Sequence, residues 1–186
     1  MNKLFIFTIF LLLTGFSSVK VEKEHREFLD MLNGARISVV ALGSACDTEL
    51  FKNIQNVPKL NLRFQPSCFD CSNTLFHSHR DDIRLKCLTD ALFDDSTDIV
   101  WALRGGYGSA KLIEGLKRLP KPSKEKVFIG YSDITSIHLF LSQEWGWKTI
   151  HGAGILELLN DSKDKTNFKK IAEILSNKMV NQKSQD

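Results

Sequence analysis

The sequence predicts an α/β domain on a doubly wound, mainly parallel sheet, and three observations carry that expectation. Short β-branched or aliphatic runs recur along the chain, each stopped by glycine or a polar turn. Segments with helical apolar spacing separate them, and the composition is that of one ordinary globular domain. The chain has 186 residues, 42% apolar and 25% charged, which excludes disordered, collagenous and low-complexity classes. A formal charge of +3, from 25 basic and 22 acidic residues with no aromatics interleaved among basic clusters, argues against nucleic acid as a partner.

Taken in order, residues 1–17 have the layout of a signal peptide. A positive start, Met1-Asn2-Lys3, precedes an apolar run over 4–13 and the small-residue stretch Gly15-Phe16-Ser17-Ser18. Export to a periplasm-like compartment is expected. The alternative is an uncleaved membrane anchor, although the run is shorter than the roughly 20 residues a spanning helix needs. Residues 18–35 form a lead-in helix, with Phe28, Leu29 and Leu32 on one face and a stop at Asn33-Gly34.

The main α/β domain is expected over 36–155. Ile37-Ser38-Val39-Val40-Ala41-Leu42 is a β-branched run closed by Gly43, and Leu60, Leu62 and Phe64 alternate as a half-buried strand does. Ile99-Val100-Trp101-Ala102-Leu103 and Val127-Phe128-Ile129 are buried-strand runs, and a further strand ends at His151. Between them, one helix is expected to start near Ser78, with Asp81 and Asp82 in its first turn, burying Ile83, Leu88 and Leu92. A short helix starts at Ser109 with Leu112, Ile113 and Leu116. Another follows Ser132 with Ile134, Ile137, His138 and Leu141. Residues 117–126, with Pro120 and Pro122, form a polar connection. Residues 156–186 supply a last helix, with Phe168, Ile171, Leu175 and Met179 on one stripe, and a polar tail.

Cys46, Cys68, Cys71 and Cys87 form an even set that an oxidising compartment would let pair, with connectivity open. Cys68-x2-Cys71 followed by His77 and His79 has zinc-type ligands, but His77-x-His79 is not a zinc spacing and Cys87 stands alone in a helix. No metal site and no cofactor are expected.

Two glycine-flanked loops follow apolar runs: Arg104-Gly105-Gly106-Tyr107-Gly108 and Gly130-Tyr131-Ser132-Asp133. In a doubly wound sheet both emerge at the carboxyl edge, where ligands bind. The first can turn its N–H groups toward an anion, or simply cap the Ser109 helix; it is neither a Walker A loop nor a G-x-G-x-x-G dinucleotide turn. In the second, a serine between strand and helix is presented on a sharp turn, with the next N–H, that of Asp133, able to stabilise an oxyanion. The plainer reading is that Ser132 or Asp133 N-caps the helix.

Arg104-Gly105-Gly106-Tyr107-Gly108-Ser109-Ala110, Phe128-Ile129-Gly130-Tyr131-Ser132-Asp133-Ile134-Thr135 and Ile150-His151-Gly152 resemble the N-terminal half of the L,D-carboxypeptidases. These serine peptidases trim terminal D-alanine from murein tetrapeptide, and the microcin-immunity peptidases are their relatives. The resemblance covers about residues 36–155, with three motifs in order. It implies a flavodoxin-like sheet, Ser132 as nucleophile, and an oxyanion hole from the Asp133 N–H with that of Gly105 or Gly106. Arg104, Gly105, Tyr107 and His151 would line the substrate site, with Tyr131 beside them.

In that family the catalytic glutamate and histidine lie in a C-terminal domain, which the resemblance implies is absent here, and Ala41-Leu42-Gly43-Ser44 lacks the family's Pro-Ser pair. A serine hydroxyl is a weak nucleophile without a base. Within the chain, His151 ends the strand after the nucleophile helix and supports the loop or serves as a base, whereas His138 packs. The expected activity is therefore an L,D-type serine carboxypeptidase acting on murein peptides, impaired on its own, with a separately encoded C-terminal domain or a homodimer as possible partners. The competing expectations are a catalytically silent peptide-binding or remnant domain and a flavodoxin-like ligand domain.

Overall fold

The computed structural model describes residues 29–45, 60–69, 76–158 and 169–175. The chain divides into two compact units, Gly34–Ser162 and a second made of Met1–Asn33 with Lys163–Asp186. The second unit has helical segments at 29–31 and 169–175 with Leu29, Leu32, Ile171 and Leu175 buried. The expected signal segment, Phe28, Phe168 and Met179 lie outside the described residues.

In the larger unit, five strands form one sheet: β1 (Arg36–Val40), β2 (Asn61–Phe64), β3 (Ile99–Ala102), β4 (Val127–Gly130) and β5 (Thr149–His151). Their order is β2-β1-β3-β4-β5 and every pairing is parallel. This is the flavodoxin-like order, in which the connections leave in opposite directions from β1 and β3 and open a crevice at their carboxyl ends. Strands buried on both faces need continuous apolar runs, and β3 and β4 are buried at every position. At the edge, β2 alternates exposed and half-buried residues, as a one-sided strand must.

Three helices pack on one face: α1 (Asp81–Phe93), α2 (Ile113–Leu116) and α3 (Thr135–Gln143). Val40, Val100, Ala102 and Phe128 point from the sheet into a core shared with Leu88, Leu92, Leu116, Ile137, Leu141, Trp145 and Trp147. The opposite face carries Ile37, Val39, Trp101 and Ile129, all buried, and Trp101 Nε1 donates to the Ala153 carbonyl at 2.9 Å. A short 3-10 turn precedes α2 at Ser109–Leu112 and another precedes α3 at Ser132–Ile134.

Helix α1 departs from expectation in two places. It begins at Asp81 rather than near Ser78, because the Ser78 hydroxyl is fully buried and donates to the Ala41 carbonyl at 2.6 Å, fixing residue 78 to the end of β1. Ile83 is only half-buried, and the neighbouring inward position belongs to Arg84. Its guanidinium donates to the Leu42 carbonyl and to Asp81, which satisfies a charge that apolar periodicity alone would have placed in solvent.

The sequence left the cysteine pairing open, and the structure bonds Cys68, in the turn after β2, to Cys87 on α1. Both sulfurs are buried, so neither is available as a metal thiolate. Cys46 and Cys71 lie outside the described residues.

The amino edge of the sheet is ionic. Asp98 accepts the Arg36 backbone N–H at 3.1 Å and its guanidinium at 2.9 and 2.7 Å, which pins the starts of β1 and β3 together. These bonds hold the Asp98 pKa well below the ordinary carboxylate range. Nearby Lys126 is fully buried with its ammonium 3.9 Å from Asp95, and burial pushes its pKa down.

Two outcomes follow. Converting both Cys68 and Cys87 to serine should lower Tm by on the order of 10 °C, because a cross-link closing a loop of 19 residues contributes about 3 kcal/mol; circular-dichroism melts measure this. Asp98→Asn should lower Tm at neutral pH. A depressed native pKa contributes stability above the unfolded value that is lost on acidification, so the gap to the parent should narrow as pH falls below about 4. A gap constant with pH would show that the Asp98 charge is not its source.

Candidate active site

The crevice is lined by three segments that leave the carboxyl ends of adjacent strands: 41–45 after β1, 103–108 after β3, and 131–133 after β4. Backbone hydrogen bonds join the first two. Ser44 N–H donates to the Gly105 carbonyl at 3.2 Å, and Leu103 N–H donates to the Val40 carbonyl at 2.8 Å.

Ser132 has φ of 58°, the only positive φ at a non-glycine among the described residues, and its side chain is exposed. L-residues avoid this region because Cβ crowds the following carbonyl, at a cost of roughly 1–2 kcal/mol. It is the geometry by which a serine is lifted above a sheet between strand and helix. Ser132 makes no side-chain cap to α3, whose entry is built by Tyr131 in extended backbone and by the Ile134 N–H bonding to the Tyr131 carbonyl at 3.2 Å. Two residues earlier, a Cβ on Gly130 would lie 2.6 Å from Ile134 Cγ2, so the bend closes only over glycine.

The glycine loop comes directly against this bend. A Cβ on Gly105 would sit 2.9 Å from Ser132 Cβ and 3.3 Å from its Oγ. Gly106 faces the β1 loop instead, where a Cβ would fall 2.1 Å from Ser44 Oγ. The N–H groups of Gly106 and Asp133 donate to no group among the described residues.

Asp133 does not cap its own helix. Its carboxylate accepts the N–H groups of Gly108 at 3.1 Å and Ser109 at 2.9 Å, and its carbonyl accepts the Ser109 hydroxyl at 2.6 Å. On the other side of the serine, Tyr131 donates its hydroxyl to Glu157 at 2.6 Å. Burial and that carboxylate push the Tyr131 pKa up.

The remaining predicted residues surround this centre at different removes. Arg104 is exposed, donates to the Ala45 carbonyl at 3.3 Å, and is paired with no carboxylate among the described residues. Tyr107 is 66% exposed, with its ring 5.8 Å from that of His77 and Lys111 Nζ at 5.8 Å from its centroid. His151 lies beside Gly130 in the sheet register, is exposed, and has Nε2 3.3 Å from Thr135 Oγ1; it makes no hydrogen bond to Ser132. His138 packs, as its helical position implied. It is buried, its Nε2 donates to the Gly130 carbonyl at 2.9 Å, and burial lowers its pKa.

Sequence reasoning missed Glu157 and the side-chain role of Asp133, whose partners are more than twenty positions away in the chain. From the sequence, Ser109 stood out only as the start of a short helix, and Ser44 only as part of the segment that lacks the Pro-Ser pair. The ligand set His77 and His79 offers no metal cluster among the described residues, and His79 Nδ1 accepts the Arg80 N–H at 2.8 Å.

The molecule is an α/β protein whose parallel sheet carries a solvent-facing serine, at positive φ, on a strand-turn-helix bend against a glycine loop. The profile of the LD-carboxypeptidase N-terminal domain matches residues 37–152, and the chain belongs to that family. A Rickettsia conorii protein named as a carboxypeptidase is 52% identical over 148 residues, covering 80% of this chain and 47% of that protein. A Bacillus subtilis protein named as a murein peptide carboxypeptidase is 36% identical over 73 residues, 39% of this chain and 23% of its own length. Among solved structures, an MccF-like protein of Bacillus anthracis superimposes with a TM-score of 0.65 at 20% identity, over 77% of this chain and 45% of that one. The microcin C7 self-immunity protein MccF gives 0.63 at 16% identity over 77% and 44%. The chain thus spans about half the length of these relatives. The family and the Rickettsia conorii and Bacillus subtilis relatives carry the names of carboxypeptidases.

The strain at Ser132 has a measurable sign. Ser132→Gly should be more stable than Ser132→Ala by roughly 1 kcal/mol, the reverse of the usual Ala-over-Gly order, because only glycine is free of the Cβ penalty at positive φ. Chemical denaturation of the two variants tests this, and an Ala variant equal or superior in stability would place the strain elsewhere.

Proposed function

We propose that the chain carries the nucleophile half of a serine carboxypeptidase of the L,D type, acting on peptidoglycan-derived peptides and releasing terminal D-alanine. The observation that carries the proposal is the exposed Ser132 at positive φ, packed against Gly105. Ser132 Oγ attacks the peptide carbonyl, and the N–H groups of Asp133 and Gly106, left without partners, receive the developing oxyanion. Each such donor typically contributes about 10²–10³ in rate, roughly 2.7–4 kcal/mol.

Arg104, without an acidic partner, is suited to a substrate carboxylate through its planar fork. Tyr107 offers an exposed aromatic wall on the same rim, and His151 supports the bend beside Gly130. The base that takes the serine proton comes, in this reading, from the part of the relatives' length that this chain does not span. The reading also includes export, on the strength of the first 17 residues.

A silent peptide-binding domain is the second reading, favoured by the fact that no histidine or carboxylate is hydrogen-bonded to Ser132 among the described residues. Fluorophosphonate labelling separates the two. The proposed enzyme should be labelled at Ser132, alone or beside any polypeptide encoded directly downstream, and should release D-alanine from murein tetrapeptide, with Ser132→Ala abolishing both. Absence of labelling in either condition would exclude a hydrolase.

A further inference from the structure

A non-glycine residue at positive φ persists only where its surroundings over-determine it. Around Ser132, part of that determination comes from the residue that follows. The 3-10 turn Ser109–Leu112 has no cap of its own, because the residue at its N-cap is Gly108, at φ of 108°. No side chain fits there, since a Cβ on Gly108 would lie 2.6 Å from His77 Cδ2 and 3.2 Å from an Arg84 guanidinium nitrogen. The cap is supplied from 25 residues away. Asp133 Oδ1 takes the Gly108 N–H, its Oδ2 takes the Ser109 N–H, and the buried Ser109 hydroxyl returns a bond to the Asp133 carbonyl. Ser136 joins the same group, its hydroxyl 2.7 Å from that of Ser109.

These bonds tie the far end of the glycine loop to the peptide immediately after the serine. The two oxyanion donors in the hydrolase reading, the Gly106 and Asp133 N–H groups, lie one on each tied segment. We infer that the Asp133 carboxylate is a positioning residue that fixes the separation of the glycine loop from the serine bend, and hence the two halves of the oxyanion pocket. The backbone of residue 133 contributes a donor to the reaction, whereas its side chain acts only through Gly108 and Ser109. The inference rests on the hydrolase reading of Ser132.

The geometry separates this role from binding. The carboxylate is bonded to Gly108 and Ser109 and to no group that would bind a reagent, so its loss is read in rate rather than affinity, as the donors drift relative to the oxygen they serve. Displacements near 1 Å can cost about 100-fold in rate.

The test is the kinetics of fluorophosphonate reaction with the full chain, in whichever condition the parent reacts, for the parent, Asp133→Ala and Asp133→Asn. The maximal rate constant should fall by about 100-fold in Asp133→Ala with the half-saturating reagent concentration unchanged. Asp133→Asn, which keeps one carbonyl acceptor for the two N–H groups, should fall between. Amide exchange at Gly108 and Ser109 should accelerate in the same order, with ordinary protection retained in β3 and β4. If Asp133→Ala fails to fold, Asp133→Asn alone decides. A variant that reacts as fast as a reactive parent, or that loses affinity instead of rate, overturns the inference and leaves the hydrolase reading standing. A parent that does not react overturns the hydrolase reading and this inference with it.

Discussion

Backbone at positive φ crowds the Cβ of an L-residue against its own carbonyl, and Ser132 is held there by what surrounds it. Below it, Ile134 fills the space left by the missing side chain of Gly130. In front of it, Gly105 leaves no room for a side chain, since a Cβ there would lie 2.9 Å from Ser132 Cβ. To either side, Tyr131 and Asp133 extend in different directions, one to Glu157 and the other to Gly108 and Ser109. The loops after β1 and β3 and the segment after β5 are thereby arranged about one dihedral angle. The exposed serine is the visible result of packing that takes place around it.

The two ends of the sheet are built from different forces. At the amino end, charge does the fastening, through Asp98 with Arg36 and Lys124. At the carboxyl end, backbone meets backbone at distances no side chain permits, and the only wholly buried charge nearby, Arg84, spends its hydrogen bonds on the Leu42 carbonyl and Asp81. Charged groups with long side chains tolerate small displacements; glycine contacts do not. A crevice that must present N–H groups at fixed positions is better served by the second kind of construction.

Much of this was legible in the residues. Strands β1, β3 and β4 could be read because full burial demands uninterrupted apolar runs, and the Gly-Tyr-Ser-Asp bend because its glycine and serine fall between a strand run and a helical run. The start of α1 was misjudged because Ser78 resembles a capping residue, while its hydroxyl is used by the end of β1. Arg84 was invisible as a core residue, since burial of a guanidinium depends on carbonyls that come from another element. The Cys68–Cys87 bond was one of several pairings compatible with four cysteines. Asp133 was read for its N–H or as a cap of its own helix, whereas its carboxylate's partners lie on a loop that only the parallel order of β3 and β4 brings alongside.

The crowding of the crevice bears on how such a sequence drifts. A methyl group on Gly43 would meet Gly105, one on Gly105 would meet Ser132 and one on Gly106 would meet Ser44, each closely enough to displace a loop. None of the three lies within a strand of the sheet or contributes an apolar side chain to its core. Selection for a folded sheet alone therefore exerts little hold on them, and a lineage that had ceased to use the crevice would be free to replace them long before it lost Val100 or Phe128. These three codons, more than the serine, are where relaxed selection would first be recorded.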